Sequence, residues 1–328
     1  MAAAVPLGKW SSTDDVIRAY LEEAKDISNQ TIIVTGSNTG IGKETARVLA
    51  SLGGNMVLAC RNEEKANDAI RDLELTNANK DAPYKLTCIP VDLSSMDSIN
   101  AFVRTFIQKK VELMWPPLRI LILNAGIFAL NGHSESVDGL ESTFATNHLG
   151  NYLLTKLLLP YLRESPSARV VVVASDSHRG PLLSCDMTDK TAVMRHVAHC
   201  NKSNFSMIGA YGTSKLCNVL FSAALHDRES KAESSVVSCS LHPGTMIGTD
   251  IARGSWIADK FMRYIMPFFT KNINQGASTT ILSCLRPHRD LQGKYFSDCA
   301  ESEPSGLARN VAAQTVLWDI SEELIDSK

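Results

Sequence analysis

The chain has 328 residues, with 33 lysines and arginines against 35 aspartates and glutamates, for a formal net charge of −2. A chain of this length can bury the core of one large α/β domain, so we expect a single catalytic domain. No basic block is present, which argues against a nucleic-acid partner.

The eight cysteines lie mostly inside apolar runs and form no C-x-x-C pair, a pattern typical of buried thiols in a reducing compartment. The first residues lack the regions of a signal peptide, and no apolar run is long enough to span a bilayer. We therefore expect a soluble, intracellular, cytoplasmic protein and leave peripheral membrane contact open.

Residues 1–30 precede the first predicted strand. Their stretch STDDVIRAYLEEAKD begins with helix-capping residue types and continues with the spacing of one amphipathic helix. We interpret 1–30 as an N-terminal helical extension and 31–328 as the catalytic domain.

Short apolar segments rich in β-branched residues then alternate with amphipathic ones. The predicted strands are TIIVT (31–35), NMVLAC (55–60), KLTCIPV (85–91), RILIL (119–123), RVVVVAS (169–175) and VVSCSLH (236–242). The predicted helices lie near 40–52, 62–76, 95–110, 138–162 and 210–230. Strands apolar on both faces are typical of parallel sheets covered on both sides. The alternation predicts a Rossmann-like, doubly wound α/β sheet of about seven strands in a single domain.

The loop TGSNTGIGKETA follows the first strand. Its glycines let the backbone approach a pyrophosphate, which the amino end of the next helix would stabilise. Glycine clusters also form ordinary turns, but the position between the first strand and the first helix favours dinucleotide binding. The predicted binding residues in this loop are Gly36, Ser37, Asn38, Thr39, Gly40, Ile41 and Gly42.

The end of the second strand, ACRNEE, bears on the choice between NAD(H) and NADP(H). An acidic side chain here would bind the ribose hydroxyls of NAD(H) and repel a 2′-phosphate. Arg61, followed by Asn62, stands at this point, and a guanidinium suits phosphate. We expect NADP(H) to be preferred, with NAD(H) as the alternative; Arg61 could also be a solvated residue at a helix start.

Polar residues also follow the third and fourth strands. Asp92, with Leu93 beside it, could accept a hydrogen bond from the adenine amino group. Asn124 closes the fourth strand, and Ala125 and Gly126 leave room for a cofactor. Each could instead cap a helix or form a turn, but together they would line one crevice.

The candidate catalytic residues are Ser175, Tyr211 and Lys215. Tyr211 and Lys215 are four residues apart, so one helix face would present both. Lowering a tyrosine pKa from about 10 to neutrality takes roughly 4 kcal/mol. An ammonium about 4 Å away supplies about 1 kcal/mol in bulk water but about 4 at an effective dielectric near 20. Tyr211 could therefore act as general acid and base only in a cleft that excludes water. In that case Lys215 would lower the pKa of Tyr211 and hold the nicotinamide ribose, and Ser175 would donate a hydrogen bond to the substrate oxygen. The alternative is that Tyr211 and Lys215 are an ordinary pair on a helix surface.

Two segments break the alternation, residues 179–208 and 245–273. Both follow strand carboxyl ends, where open α/β sheets bind ligands, so we expect them to form substrate walls. The second is rich in large apolar side chains, which suits a lid over a hydrophobic substrate, a membrane-surface contact or a helix packed on the core.

The sequence gives little support for a metal site or for a hydrolase. His196 and His199 lie near Cys200 but have no carboxylate or thiolate cluster beyond it, so we expect no metal. No G-x-S-x-G elbow occurs, which argues against a hydrolase.

Taken in order, TGSNTGIG, NAG, Ser175 and YGTSK resemble the T-G-x-x-x-G-I-G, N-A-G, Ser and Y-x-x-x-K motifs of the short-chain dehydrogenase/reductases. The resemblance covers roughly residues 30–326. DGLESTFATNHLGNYLLT, SKLCNVLF and HPG are similar to the branch that contains retinol dehydrogenases and the WW-domain-containing oxidoreductase. We find no counterpart of the WW modules or of the membrane anchor of many retinol dehydrogenases.

The resemblance implies an NAD(P)-dependent alcohol dehydrogenase or carbonyl reductase. It adds Asn147, which in the family holds a water that relays protons from the lysine. It also places Pro243, Gly244 and a following threonine at the nicotinamide; because P-G-x-x-x-T is one residue longer here, as PGTMIGT, that threonine is Thr249.

We therefore expect an NADP(H)-dependent oxidoreductase that interconverts a carbonyl and an alcohol on a hydrophobic small molecule, of retinoid, steroid or lipid-aldehyde type. The alternative is a scaffold of the same fold that binds the cofactor and acts through protein partners with little turnover. A homodimer through the long helices is left open.

Overall fold

The computed structural model describes residues 6–76, 85–244 and 271–327. Within them, eight strands form one sheet in the order β3-β2-β1-β4-β5-β6-β7-β8. The strands are β1 Thr31–Thr35, β2 Asn55–Cys60, β3 Leu86–Pro90, β4 Leu118–Leu123, β5 Arg169–Val173, β6 Val237–His242, β7 Tyr295–Ser297 and β8 Ala300–Ser302. All neighbouring pairs are parallel except β7 and β8. The predicted Rossmann-like α/β sheet is confirmed, and its eighth strand is a three-residue hairpin partner of β7.

Helices cover both faces of the sheet. They are α1 Thr13–Ala19, α2 Leu21–Lys25, α3 Gly40–Ser51, α4 Glu63–Thr76, α5 Met96–Glu112, α6 Ser142–Phe144, α7 Gly150–Arg163, α8 Lys190–Val193, α9 Met207–Lys231, α10 Ile273–Leu285 and α11 Val311–Asp326. One core lies between the sheet and α5, α7, α9 and α11, and the other lies beneath α1, α3, α4 and α10. No helix among the described residues is both long and apolar enough to cross a membrane.

The N-terminal extension forms two short helices where the sequence predicts one. The backbone of Tyr20, with φ −124° and ψ 45°, leaves the α-helical region and separates α1 from α2. Ser12 and Asp15 make a capping box at the start of α1. Val16 is fully buried, and Asn274 at the start of α10 accepts a hydrogen bond from the backbone N–H of Thr13 at 3.1 Å. The extension therefore packs on the second core.

The helix predicted at 138–162 is interrupted. It consists of α6, a π-helical turn at Ala145–Leu149 and α7. The side chain of Glu141 caps its start by accepting hydrogen bonds from the backbone N–H groups of Thr143 and Phe144, both at 2.8 Å. The π turn inserts one extra residue and carries Asn147 at its centre.

The C-terminal helix α11 covers one side of α7 and α9. The ring of Trp318 lies 5.0 Å from Tyr152 on α7 and 6.2 Å from Phe221 on α9, measured between centroids. Glu322 accepts hydrogen bonds from Tyr152 and Lys156. One side of the two long helices is thus occupied by the chain's own α11.

Candidate active site

The carboxyl ends of the parallel strands border a cavity of about 650 Å³. Most of the residues expected to bind the cofactor line it, although they come from distant parts of the sequence. They are Gly36, Asn38, Thr39, Gly40, Ile41, Gly42, Arg61, Asp92, Leu93, Asn124, Ala125, Gly126, Tyr211, Lys215 and Pro243. The fold therefore brings these residues to one crevice, as the order of the motifs predicts.

The glycine loop is closely packed against the end of β4. Gly36 and Gly40 have φ values of +65° and +57°, a region that disfavours other residues. A Cβ atom on Gly42 would lie 2.4 Å from the carbonyl oxygen of Gly36 and 2.5 Å from Nδ2 of Asn124. Asn124 itself donates a hydrogen bond to the Thr35 carbonyl at 2.9 Å and so joins β4 to the loop. The first turn of α3 points backbone N–H groups without intrahelical partners at the cavity, which fits a pyrophosphate.

Three of the predicted cofactor residues that the structure describes do not line the cavity. Ser37 is buried beneath the loop, where its hydroxyl donates to the Val34 carbonyl at 2.9 Å. Asn62 is exposed and accepts from the backbone N–H of Lys65 at 2.8 Å at the start of α4. Gly244, with φ +123°, packs against Lys271, which would lie 2.4 Å from a Cβ atom. Thr249 and most of segment 245–273 lie outside the described residues.

Arg61 follows β2 and Asp92 follows β3, and both residues line the cavity. Arg61 is exposed at the end of β2 and has no ion-pair partner among the described residues. Asp92 uses Oδ1 to accept from the backbone N–H and the hydroxyl of Ser94, at 2.9 and 2.6 Å. The carboxylate of Asp92 is thereby oriented by its own turn, and the guanidinium of Arg61 remains available to a ligand.

The candidate catalytic residues meet where β5 ends and α9 begins. Ser175 caps the 3-10 turn Asp176–Arg179; its Oγ accepts from the backbone N–H of Ser177 at 3.2 Å and donates to the Ser177 hydroxyl at 3.1 Å. The Ser175 side chain lies near the Tyr211 hydroxyl, close enough to act on its pKa. Lys215 donates to the Val173 carbonyl at 3.0 Å, and its Nζ lies 5.7 Å from the centroid of the Tyr211 ring.

Asn147 is buried beside this group. Its Nδ2 donates to the Ile127 carbonyl and to the Ser214 hydroxyl, both at 3.0 Å, and its Oδ1 accepts from the backbone N–H of Ile127 at 2.7 Å. A Cβ atom on Gly126 would lie 3.2 Å from Nζ of Lys215 and 3.3 Å from Oδ1 of Asn147. The π turn therefore ties α9 to the loop after β4, and glycine at 126 leaves room for both side chains.

The pKa of Tyr211 is raised in this structure, whereas the sequence pattern predicts that Lys215 lowers it. Burial raises the pKa of Tyr211, and the neighbouring Ser175 side chain opposes that rise. Burial also lowers the pKa of Lys215 to about 8. Desolvation outweighs attraction here, because burial disfavours the charge of Lys215 as well as that of the phenolate. The described groups of the protein thus keep Tyr211 protonated at neutral pH.

The structure adds an apolar wall that the sequence interpretation missed. The loop after β4 lines the cavity with Ile127, Phe128, Ala129 and Leu130, and the Phe128 ring lies 5.0 Å from the Tyr211 ring between centroids. Their position directly after the N-A-G motif is a signal that could have identified them. Segment 179–208, expected to form a wall, contributes no lining residue; its buried apolar residues belong to the core beneath α9 and α11.

Known proteins that resemble this chain are dehydrogenases and oxidoreductases. A family model described as short chain dehydrogenase matches residues 30–185. The WW domain-containing oxidoreductase of Gallus gallus is 39% identical over 306 residues, covering 92% of this chain and 70% of that protein. Retinol dehydrogenase 12 of Mus musculus is 36% identical over 301 residues, covering 91% and 87%.

A solved structure also matches. It is that of an uncharacterised protein from Mycobacterium paratuberculosis, which is 26% identical, has a TM-score of 0.68 and covers 91% of this chain and 94% of its own. The ordered motifs, the parallel sheet and these relatives agree: the chain belongs to the short-chain dehydrogenase/reductase family of oxidoreductases, which uses NAD(P)(H).

Proposed function

We propose that the protein is an NADP(H)-dependent oxidoreductase that interconverts a carbonyl and an alcohol on a hydrophobic substrate, with Tyr211 as general acid and base. The observation that carries this proposal is that Tyr211, with Ser175 as its neighbour, lines a cavity that extends to the glycine loop. A phenol and a hydroxyl that share one partner are suited to a carbonyl oxygen whose charge changes during reaction.

The cavity offers groups for each part of a nicotinamide dinucleotide. The first turn of α3 would hold the pyrophosphate, Asp92 the adenine and Lys215 the nicotinamide ribose, with Pro243 at the nicotinamide end. Arg61 would bind a 2′-phosphate, which supports NADP(H) over NAD(H). When bound, the dinucleotide supplies or accepts a hydride.

The protein's residues handle the proton. Because burial raises its pKa, Tyr211 carries its proton at neutral pH and can give it to a carbonyl oxygen during reduction. Ser175 has a single proton, which it now donates to Ser177; a substrate oxygen would compete with Ser177 for it. Lys215, whose pKa is about 8, still carries its charge at pH 7 and would stabilise the phenolate that remains.

The apolar wall of Ile127, Phe128, Ala129 and Leu130 supports a hydrophobic substrate. Phe128 packs edge-on against Tyr211, so an apolar group placed on this wall lies next to the acid. An apolar substrate on this wall would displace water from the phenol and so strengthen its interaction with Lys215.

The experiment is a panel of aldehydes, ketones and retinoids offered to the purified chain with NADPH and NADH side by side. Tyr211→Phe should lower kcat by about two to four orders of magnitude while NADPH binding, followed by fluorescence titration, is kept. Tyr161→Phe is the matched control, because this tyrosine packs on Phe106 far from the cavity. Turnover that survives in Tyr211→Phe contradicts the proposal, and NADPH binding without turnover across the panel favours a scaffold.

A further inference from the structure

Two buried histidines hold the same peptide group, the one that joins Ser175 to Asp176. Nδ1 of His178 lies 2.7 Å from the carbonyl oxygen of Ser175. Nδ1 of His242, at the end of β6, accepts a hydrogen bond from the backbone N–H of Asp176 at 3.2 Å. Both rings are buried, at 1% and 7% exposure. One imidazole therefore contacts the C=O and the other the N–H of a single peptide unit.

This arrangement requires two neutral histidines of opposite tautomer. His178 must donate at Nδ1, since a carbonyl only accepts, and its Nε2 accepts from the backbone N–H of Ser305 at 3.1 Å. His242 accepts at Nδ1, so its proton is on Nε2. Protonation of either ring would place a second N–H against a backbone N–H.

The peptide matters because it links the turn that carries Ser175 to β6. The hydroxyl of Ser175 bonds Ser177 of its own 3-10 turn, which fixes it only relative to that turn. The two histidines connect the turn to β6 and, through Ser305, to the segment before α11. Rotation of the turn would move the Ser175 hydroxyl away from Tyr211.

We propose that His178 and His242 are positioning residues for the reaction: together they fix the Ser175–Asp176 peptide and so aim the Ser175 hydroxyl at the oxygen it shares with Tyr211. This inference rests on the proposed function. Neither histidine lines the cavity, so neither touches the reacting atoms.

The surroundings keep His242 neutral at physiological pH. Burial lowers the pKa of His242 to about 4, and the charges of Lys271 and the neighbouring His178 act in the same direction. The carboxylates of Asp176 and Asp298 act against them. Lys271 is itself buried and ion-paired with Asp298 at 2.6 Å, at the turn between β7 and β8.

His178 is neutral for similar reasons. Burial lowers its pKa, and Arg179 on the same turn adds to this, whereas the bond to the Ser175 carbonyl and the charge of Asp176 oppose it. The ring also packs on Tyr295 of β7, 5.1 Å away between centroids. Both contacts to the peptide should therefore persist from pH 8 down to about pH 6.

The first test needs no turnover and so separates this inference from the proposed function. Long-range ¹H–¹⁵N NMR of the full chain labelled at histidine nitrogens should show the Nδ1–H tautomer for His178 and the Nε2–H tautomer for His242 at pH 7. Resonances are assigned with His178→Asn and His242→Asn. The same tautomer at both positions, or a charged ring at either, overturns the inference.

The second test is kinetic and uses the substrate found in the panel. His178→Leu and His242→Leu should each lower kcat by about tenfold to a hundredfold and leave the KM for NADPH within about twofold, as for a misplaced catalytic group. Asparagine should restore most of kcat at both positions, as its Nδ2 can replace the donor of His178 and its Oδ1 the acceptor of His242.

The matched control is His288→Leu. Nε2 of His288 bonds the Ala168 carbonyl at 3.1 Å, at the opposite end of β5, so the variant loses a similar bond far from Ser175 and should keep its kcat. Leucine and asparagine variants that are equally slow, or a His288→Leu variant that is as slow as the others, would show a merely structural role. If the wild type has no turnover, the proposed function fails, and the tautomers still test the geometry.

Discussion

Lowering the pH from 7 to 5 should destabilise the fold, with His148 as a principal cause. This histidine lies in the π turn before α7, buried among Phe144, Tyr152 and Phe221. Its Nε2 is hydrogen-bonded to the Ser321 hydroxyl at 2.9 Å, and Nδ1 has no partner among the described residues. Burial lowers the pKa of His148 to about 3. The ring is therefore neutral in the folded protein at pH 7 and still at pH 5.

The size of the effect follows from proton linkage. In the unfolded chain a histidine titrates near 6.5, so below that pH the unfolded state binds a proton that the folded state does not. The stabilisation is complete above about pH 6.5 and is lost as the pH falls toward the folded value. Between pH 7 and 5 the loss is about 2 kcal/mol for one such histidine. His242, with a pKa of about 4, contributes a similar amount, so the pair removes about 4 kcal/mol from a typical total of about 5–15.

Urea unfolding at pH 7, 6 and 5 measures this loss. His148→Leu should be less stable at pH 7, yet it should lose about 2 kcal/mol less than the wild type on going to pH 5. Phe144→Leu is the control, because it disturbs the same cluster without removing a titrating group and should keep the full pH dependence. A His148→Leu variant with the pH dependence of the wild type would refute the reasoning.

Three further substitutions test the site and the core. Arg61→Asp should shift the ratio of kcat/KM for NADPH and NADH toward NADH by at least about tenfold, measured with both cofactors; an unchanged ratio would exclude Arg61 from 2′-phosphate binding. Gly42→Ala forces a Cβ atom to 2.4 Å from the carbonyl of Gly36, so it should cost about 1–3 kcal/mol and weaken NADPH binding, seen by thermal unfolding and titration. The buried Arg169 donates to three carbonyl groups at the end of α10, so Arg169→Met should destabilise by about 3 kcal/mol or more; an unchanged Tm would contradict this.

The regular part of the fold could be predicted from the sequence because its signals are local. Segments such as 31–35 and 169–173 consist almost entirely of β-branched residues and are buried at every position, as in strands of a sheet that is covered on both faces. The π turn at Ala145–Leu149 leaves no such signal, since one inserted residue changes neither composition nor amphipathicity. Strand β8 has only three residues and is defined by its pairing with β7.

The site was predictable as a set of motifs but not as a set of contacts. Strand carboxyl ends meet at one edge of a parallel sheet, so residues after successive strands had to converge. Which side chain faces the cavity depends on packing from distant segments. Ser37 turns inward to Val34 whereas its neighbour Asn38 lines the cavity, and Asn62 caps α4. The pairing of His178 with Ser305 likewise joins residues 127 apart in sequence.

Burial acts on Tyr211 and Lys215 in two opposing ways. It strengthens the attraction between ammonium and phenolate, because that attraction grows as the effective dielectric falls. It also penalises each charge separately, and here that penalty dominates, because it raises the pKa of Tyr211 and lowers that of Lys215. The buried pair thus favours a proton donor over a base at neutral pH. A further positive charge beside the phenol would reverse this preference, so the same two residues can serve reduction when that charge is absent and oxidation when it is present.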